Sequence, residues 1–198
     1  MPNWCYNTVE LTHEDPTMIE RARTAFLGKG LLNEFVPVPK ELQIVAGFLG
    51  DEVEQAALEA REAANLEKHG YRNWYDYCVN EWGTKWDVTG QEVNDIPNGV
   101  ILTFDSAWAP PTGAYDKLLD LGFEVRAMYY EPGMGFCGVW DNGQDDEYSL
   151  GGLNSDEVAE LLPPELDEAY GISESIAEYE DEENIDIELN GGIDSINE

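Results

Sequence analysis

Three cysteines and two histidines are the side chains of this sequence that could act as nucleophiles or hold a transition metal. Cys5, Cys78 and Cys137 are widely spaced, and neither His13 nor His69 stands at a ligand-pair distance from any of them. Zinc sites and Cys–His nucleophiles need such spacing, and no Gly-x-Ser-x-Gly motif is present. We therefore expect no enzymatic activity, no metal and no cofactor. An odd number of unpaired cysteines and no apolar run of 18 residues predict a cytoplasmic protein without a membrane span.

Two further segments resemble ligand loops without completing them. Residues 133–138 (GMGFCG) have the glycines of a phosphate loop, but they run from a turn into a strand and lack the Lys-Ser/Thr pair. Residues 186–197 place oxygen-bearing side chains at positions 1, 3, 5 and 9 of a calcium loop, with Gly191 at position 6. Position 3 is Glu and position 12 is Asn, so we expect no calcium site there.

Charge is the outlying property of the composition. The chain has 42 acidic and 10 basic side chains, a net charge of -32, and its last Lys or Arg is Arg126. Half of the acids follow that residue. Phosphate backbones and anionic membranes repel such a surface, so we expect neither nucleic acid nor membrane as a direct partner. A basic protein is the partner that this charge favours, because opposite charges accelerate encounter.

The acidity has three interpretations. It can be a solvated surface, an adaptation to a salt-rich host, or a mimic of nucleic acid that engages a host protein's Arg and Lys residues. Carboxylates at helical spacings lie about 5–6 Å apart, a separation suited to the third interpretation. The candidate partner-binding residues are Asp145, Asp146, Glu147, Asp156, Glu157, Glu160, Glu180, Asp181, Glu182 and Glu183.

An aromatic segment, residues 71–86, offers an alternative site. Its rings recur at helical spacing, which predicts a helix whose aromatic face covers the sheet. The functional alternative is a pocket for a small ligand or a partner's side chain, in a binding protein or an enzyme. Its residues would be Trp82, Lys85, Trp86 and Trp108. A third possibility is a virion or assembly protein whose acidity only keeps it in solution.

Residues 99–140 must position the aromatic and acidic side chains. The pattern of these residues predicts strand, helix, strand, turn and strand. Pro110-Pro111 ends the first strand, Thr112 is a plausible N-cap, and Gly122 suits a left-handed helix end. Alternation from Phe123 to Tyr130 predicts one core face and one open face. Asn142-Gly143 predicts a hairpin.

The remaining patterns complete a sheet. Cys5 to Leu11 alternate as a strand, a helix begins at Asp15-Pro16, and residues 51–69 predict a helix packed through a stripe of small residues. Residues 87–93 and 99–107 predict paired strands. The order β-α-(insertion)-β-β-α-β is that of an α+β, ferredoxin-like split β-α-β sheet. We expect residues 1–150 to form this domain, with a helical insertion at about 31–86 and an extra hairpin.

Residues 151–198 form the predicted acidic C-terminal extension. Asn154 and Glu157 predict a capping box at the start of a helix. Ile172, Ile176 and Tyr179 predict one face of a further helix, and residues 185–189 alternate as a strand would.

Four motifs carry a resemblance to a family. The segments MPNWCYNTVEL, NWYDYCVNEWGTKWDV, FDSAWAPP and YYEPGMGFCG, in this order, resemble the YubB-like proteins of bacteriophages and conjugative plasmids over about residues 1–145. The resemblance implies a ferredoxin-like domain and an origin in a mobile element, and it implies no reaction. Together with the charge, it leads us to expect a non-catalytic accessory protein: a DNA mimic that binds the basic surface of a host defence protein.

Overall fold

The computed structural model describes residues 2–90 and 92–191, with side chains described as far as residue 182. Within these residues the protein is an α+β structure with one six-stranded antiparallel sheet. Its strands are β1 (Trp4–Thr12), β2 (Val93–Ile96), β3 (Gly99–Ala107), β4 (Glu124–Glu131), β5 (Phe136–Asp141) and β6 (Gln144–Ser149). Its helices are α1 (Pro16–Phe26), α2 (Leu31–Phe35), α3 (Glu52–His69), α4 (Trp74–Glu81), α5 (Thr112–Asp120), α6 (Ser155–Leu161), α7 (Pro164–Tyr170) and α8 (Ile172–Gly191).

The sheet has the strand order β2-β3-β1-β4-β5-β6, so β1 lies between β3 and β4. Val9 marks the centre, because its partners are Leu102 on β3 and Ala127 on β4. Asn142 and Gly143 both have positive φ, 47° and 96°, and join β5 to β6 in the hairpin that this dipeptide predicts.

The main core lies on one face of the sheet. Alternate residues of β1, β3 and β4, among them Leu11, Leu102 and Val125, are fully buried there. Phe26 from α1 and Leu118 from α5 pack against them. Burial at every second strand position is the period that the sequence predicts.

The opposite face carries a second core, which fixes the C-terminal extension to the sheet. Val158, Leu166 and Ile172 from α6, α7 and α8 are buried together with Cys137 of β5. The hydroxyl of Tyr170 donates a hydrogen bond of 2.7 Å to the backbone oxygen of Met128. The helices thus cover the β4–β6 side, and the second face of β1 and β3 stays exposed.

The strand before β3 differs from its prediction. It covers Val93–Ile96 instead of residues 87–93, and the turn to β3 contains Pro97 and Asn98. Asp87 does not join the sheet because its carboxylate accepts hydrogen bonds from the backbone N–H groups of Leu32 and Asn33, at 2.7 and 3.0 Å. It satisfies the free N–H groups at the start of α2.

Helix α3 has its predicted limits but buries a different face. The small-residue stripe of Val53, Ala57, Ala60 and Ala64 is exposed, and Leu58 and Asn65 are buried instead. The amide of Asn65 donates to the backbone oxygens of Glu41 and Arg72, at 2.9 and 3.0 Å. Both faces have helical periodicity, so periodicity alone could not identify the buried one.

The C-terminal segments differ in part from their predictions. The capping box of Asn154 and Glu157 is present, but α5 begins with Pro111 as its N-cap and Thr112 inside it. Residues 185–189 continue α8 instead of forming a strand. In the calcium-like segment, residues 186–191 are helical and 192–197 lie outside the described residues.

No helix in the described ranges combines the length and apolar character that crossing a bilayer requires. The same ranges contain no group of three His, Cys, Asp or Glu residues arranged to hold a metal ion.

Candidate functional site

Three aromatic rings surround the ammonium group of Lys85. Its Nζ lies 4.7 Å from the ring centroid of Trp86, 5.2 Å from that of Trp108 and 5.7 Å from that of Tyr75. All three distances fall within the range of about 6 Å in which a cation is attracted to a ring face. The three rings are only partly buried. They form an aromatic cage that holds a cation of the same chain.

The backbone around the cage is fixed by hydrogen bonds at the end of β3. Thr84 Oγ1 donates to the backbone oxygen of Ala107 at 2.9 Å and accepts from its N–H at 3.1 Å. Trp108 N–H donates to the backbone oxygen of Asn3 at 3.0 Å. Trp108 has φ 69°, a left-handed conformation that costs a bulky residue on the order of 1–3 kcal/mol. The surrounding structure therefore holds this ring in place against local strain.

Trp82 occupies a different environment from its predicted neighbours. It is buried in the main core, and its indole Nε1 donates to the backbone oxygen of Val36 at 2.9 Å. One edge of Trp82 still lines a cavity of about 240 Å³ together with Lys85 and Trp86. Trp108 contacts Lys85 and does not line the cavity. The cavity lies below the roughly 300–1,000 Å³ of ordinary ligand pockets.

Further rings follow the cage across the sheet: Trp4 and Tyr6 are exposed, whereas Tyr130 and Tyr170 are half-buried against the second core. The centroids of Trp86 and Trp4 are 6.0 Å apart, those of Tyr6 and Tyr130 6.4 Å, and those of Tyr130 and Tyr170 6.0 Å. Trp4 and Tyr6 point to the same side because they are two residues apart on β1. We call these five rings the aromatic track. The track was not predicted, although the alternation of β1 already placed Trp4 and Tyr6 opposite the core.

The acidic residues of β6 lie at the edge of the sheet. Asp145 Oδ1 accepts a hydrogen bond of 2.7 Å from the hydroxyl of Tyr129, and Asp146 accepts from the amide of Gln144. The Glu147 carboxylate forms no hydrogen bond or ion pair with another described residue. Asp145 thus contributes to the fold, whereas Glu147 is available to solvent.

Two of the predicted binding residues on the helices have structural roles. Glu157 completes the capping box of α6, and Glu180 accepts hydrogen bonds from Ser155. Four others are exposed and have no hydrogen-bond or ion-pair partner among the described residues: Asp156, Glu160, Asp181 and Glu182. The side chain of Glu183 lies outside the described residues.

Helix α8 also exposes two acids that sequence reasoning did not select, Glu174 and Glu178. Glu174, Glu178, Asp181 and Glu182 stand at positions i, i+4, i+7 and i+8 of the helix, and all four are exposed. Side chains at such spacings share one face, with neighbours about 5–6 Å apart. We call these four residues the acidic stripe. The sequence signal for the stripe is this helical spacing, and the run of four consecutive acids at 180–183 obscured it.

Arg126 is a base that pairs with the C-terminal helices. Arg126, the last basic residue of the chain, forms ion pairs with Asp141 and Glu165. Its charge is therefore largely neutralised within the protein.

The three cysteines are free thiols and are buried. Burial raises the pKa of the Cys5, Cys78 and Cys137 thiols to about 12. A thiol with such a pKa stays protonated at neutral pH, and the protonated form is a poor nucleophile.

No protein-family model matches this sequence, and a search of curated proteins finds no match either. Among solved structures, the chain is similar to the protein api92 from Yersinia pseudotuberculosis, described under the family model DUF1281. The identity is 14% and the TM-score is 0.43, and the likeness covers 77% of this chain and 100% of that one. A likeness at this level carries no information on function.

Proposed function

We propose that this protein is a non-catalytic binding protein that acts as an acidic nucleic-acid mimic on the basic surface of a host protein. The acidic stripe of α8 is the observation that carries the proposal. Its four carboxylates share one exposed helix face, at separations that suit a row of Arg and Lys side chains.

Rigid support strengthens this proposal. The buried residues Val158, Leu166 and Ile172 hold the helices against the sheet, so the stripe starts from a fixed scaffold. Binding to a fixed surface loses less conformational entropy than binding to a loose acidic tail. Arg126 is already paired, so its charge does little to offset the stripe.

The proposal also includes a ferredoxin-like fold and an origin in a mobile element. The order β2-β3-β1-β4, with antiparallel neighbours, supports a ferredoxin-like split β-α-β sheet extended by β5 and β6. This arrangement is consistent with the resemblance to YubB-like proteins. The protein would then be an accessory, anti-defence protein of a phage or plasmid, acting in the cytoplasm of the host cell.

Charge-matched variants test the role of the stripe. The first variant replaces its four acids: Glu174→Gln, Glu178→Gln, Asp181→Asn and Glu182→Gln. The control removes four exposed acids elsewhere on the surface and has the same net charge: Glu59→Gln, Glu67→Gln, Asp116→Asn and Asp120→Asn. Each protein is immobilised and exposed to host lysate, and retained proteins are eluted with salt or with double-stranded DNA.

We expect the parent and the control to retain nucleic-acid-binding proteins that DNA displaces. The stripe variant should release the same proteins at lower salt, because fewer ion pairs hold them. Equal elution from both variants would show that total charge, and not the stripe, determines retention.

The aromatic cage supports a second candidate function, the binding of a small ligand at Trp82, Lys85, Trp86 and Trp108. The supporting observation is that the ammonium group of Lys85 and the rings of Trp82 and Trp86 line one cavity. Nucleotides combine a ring with negative charge and are the probe of choice. Quenching of tryptophan fluorescence by a nucleotide, abolished by Lys85→Met, would favour this function over mimicry.

A further inference from the structure

The open face of the sheet presents aromatic side chains that the fold does not use. Trp4 and Tyr6 are 43% and 42% exposed, although their strand lies in the middle of the sheet. The C-terminal helices cover the β4–β6 side of this face, where Tyr170 contacts Tyr130 and Glu165 pairs with Arg126. Large exposed rings that lie side by side on one sheet face are typical of a surface that binds another molecule.

Carboxylates accompany the rings on this face. Asp105 on β3 stands directly opposite Tyr6, and Glu10 follows on the same side of β1. Both acids are exposed, and neither forms a hydrogen bond or ion pair with another described residue. Arg126, on the same side of β4, is neutralised by Asp141 and Glu165. Tyr6 therefore lies between two carboxylates that no cation of the described residues pairs with.

The protein itself shows which chemistry these rings accept. At one end of the track, Trp86 holds the ammonium group of Lys85 at 4.7 Å from its centroid. A guanidinium group is planar and less strongly hydrated than an ammonium group, so it stacks on rings more favourably. It would also pair with a neighbouring carboxylate, such as that of Asp105.

The spacing of the track matches an extended peptide. Neighbouring ring centroids in the track are separated by 6.0, 6.4 and 6.0 Å in the three measured pairs. In an extended chain each residue advances about 3.3 Å, so alternate side chains lie roughly 6.6 Å apart on one side. Trp4 and Tyr6, the two exposed rings of β1, are also two residues apart, so a peptide with a cation at every second position can place successive side chains on them.

We propose that the aromatic track binds an extended, arginine-containing segment of a basic protein. This inference rests on the proposed function in one respect, since both require a basic partner. It concerns a separate surface and a different chemistry. Single-stranded nucleic acid would also stack on the rings, but its phosphates would lie beside Glu10 and Asp105.

Calorimetric titrations of the full-length protein test the inference with defined probes. The probes are the peptides (Arg-Ser)6 and (Lys-Ser)6 and the oligonucleotide dT12. The ring variant is Trp4→Ala with Tyr6→Ala. Its matched control is Phe48→Ala, which removes a ring that is 81% exposed and lies outside the track. A third variant, Glu10→Gln with Asp105→Asn, removes charge and keeps every ring.

We expect the parent to bind (Arg-Ser)6 more tightly than (Lys-Ser)6, and dT12 least. The ring variant should bind (Arg-Ser)6 about tenfold more weakly, because two stacked cations are lost, and Phe48→Ala should bind as the parent does. The charge variant should bind severalfold more weakly, with a smaller salt dependence. It keeps the inference testable if circular dichroism shows that the ring variant is misfolded.

Indole N–H resonances locate the peptide. Those of Trp4 and Trp86 should shift on titration, whereas those of the buried Trp82 and Trp140 should not. Equal affinity of the parent and the ring variant would overturn the inference. So would tight dT12 binding that the ring variant loses. If only the stripe variant loses peptide binding, the inference fails and the proposed function stands. If only the ring variant loses peptide binding, the inference stands and the proposed function fails.

Discussion

Glu180 on α8 accepts two hydrogen bonds from Ser155, the first residue of α6: one from the backbone N–H at 3.2 Å and one from Oγ at 2.7 Å. The N–H groups at the start of a helix have no partner within the helix, so this carboxylate satisfies one of them. It also joins α8 to α6. One member of the acidic run at 180–183 is therefore a structural residue, and binding experiments should leave it intact.

The first prediction separates this role from surface charge. Glu180→Ala should lower the free energy of unfolding by about 1–3 kcal/mol, because Ser155 loses its hydrogen-bond acceptor. Glu182→Ala, at an exposed position two residues later, should change it by less than about 0.5 kcal/mol. Urea unfolding followed by circular dichroism measures both values. Equal effects would contradict the structural role.

The second prediction distinguishes two tryptophans that the sequence groups together. Trp82→Ala should cost about 3–5 kcal/mol of stability, because it opens a cavity in the main core and leaves the backbone oxygen of Val36 without its donor. Trp86→Ala should cost at most about 1 kcal/mol, since its ring is partly exposed. Denaturant midpoints of the two variants decide the matter, and a large loss for Trp86→Ala would show that the cage supports the fold.

The third prediction concerns the approach of β4 to β5. A methyl group at Gly138 would overlap the hydroxyl of Tyr129 and come within 2.8 Å of the backbone oxygen of Asp146. Gly138→Ala should therefore destabilise the protein by about 1–3 kcal/mol and displace Tyr129 from Asp145. The matched control is Gly151→Ala, because no atom lies within 4 Å of the added methyl group. Thermal unfolding measures both variants, and equal melting temperatures for Gly138→Ala and Gly151→Ala would contradict the prediction.

The fourth prediction is a loss of stability at alkaline pH. Burial raises the pKa of the thiols of Cys5, Cys78 and Cys137 from 9.0 to about 12. Between these values the unfolded chain releases protons that the folded chain retains, so stability is complete below pH 9 and falls as pH rises towards 12. The slope is about 1.4 kcal/mol per pH unit for each group.

Tyrosine titration provides an independent readout of the same transition. Burial raises the pKa of Tyr115 well above its ordinary value, and the pKa of Tyr129 is raised in the same direction by burial and by Asp145. Their absorbance change at 295 nm should appear only when the protein unfolds, after that of exposed tyrosines. Urea midpoints that stay constant from pH 8 to pH 10.5 would contradict the predicted loss.

Local patterns in the sequence identified much of the sheet. The alternation in β4, the Asn142-Gly143 turn and the capping box at Asn154 were predicted correctly, because each depends on neighbours in the chain. The limits of α3 followed from its capping residues for the same reason. Its buried face did not, because the hydrogen bonds of Asn65 come from outside the helix.

The aromatic site shows the same limit. The spacing of the rings in residues 71–86 predicted a helix with one aromatic face, but α4 ends at Glu81 and neither Trp82 nor Trp86 lies within it. Trp82 turns inward to Val36, a contact across 46 positions that local patterns do not reveal. The cage needed the end of β3 to be placed beside the end of α4, which only the tertiary structure shows.

The three consecutive acids of β6 have a consequence for how copies of this protein meet one another. An edge strand can extend its sheet into a second molecule through its free backbone groups. Here an approaching β6 would bring Asp145, Asp146 and Glu147 against the same three charges. Like charges on facing strands repel, so these acids disfavour the pairing of two molecules through this edge.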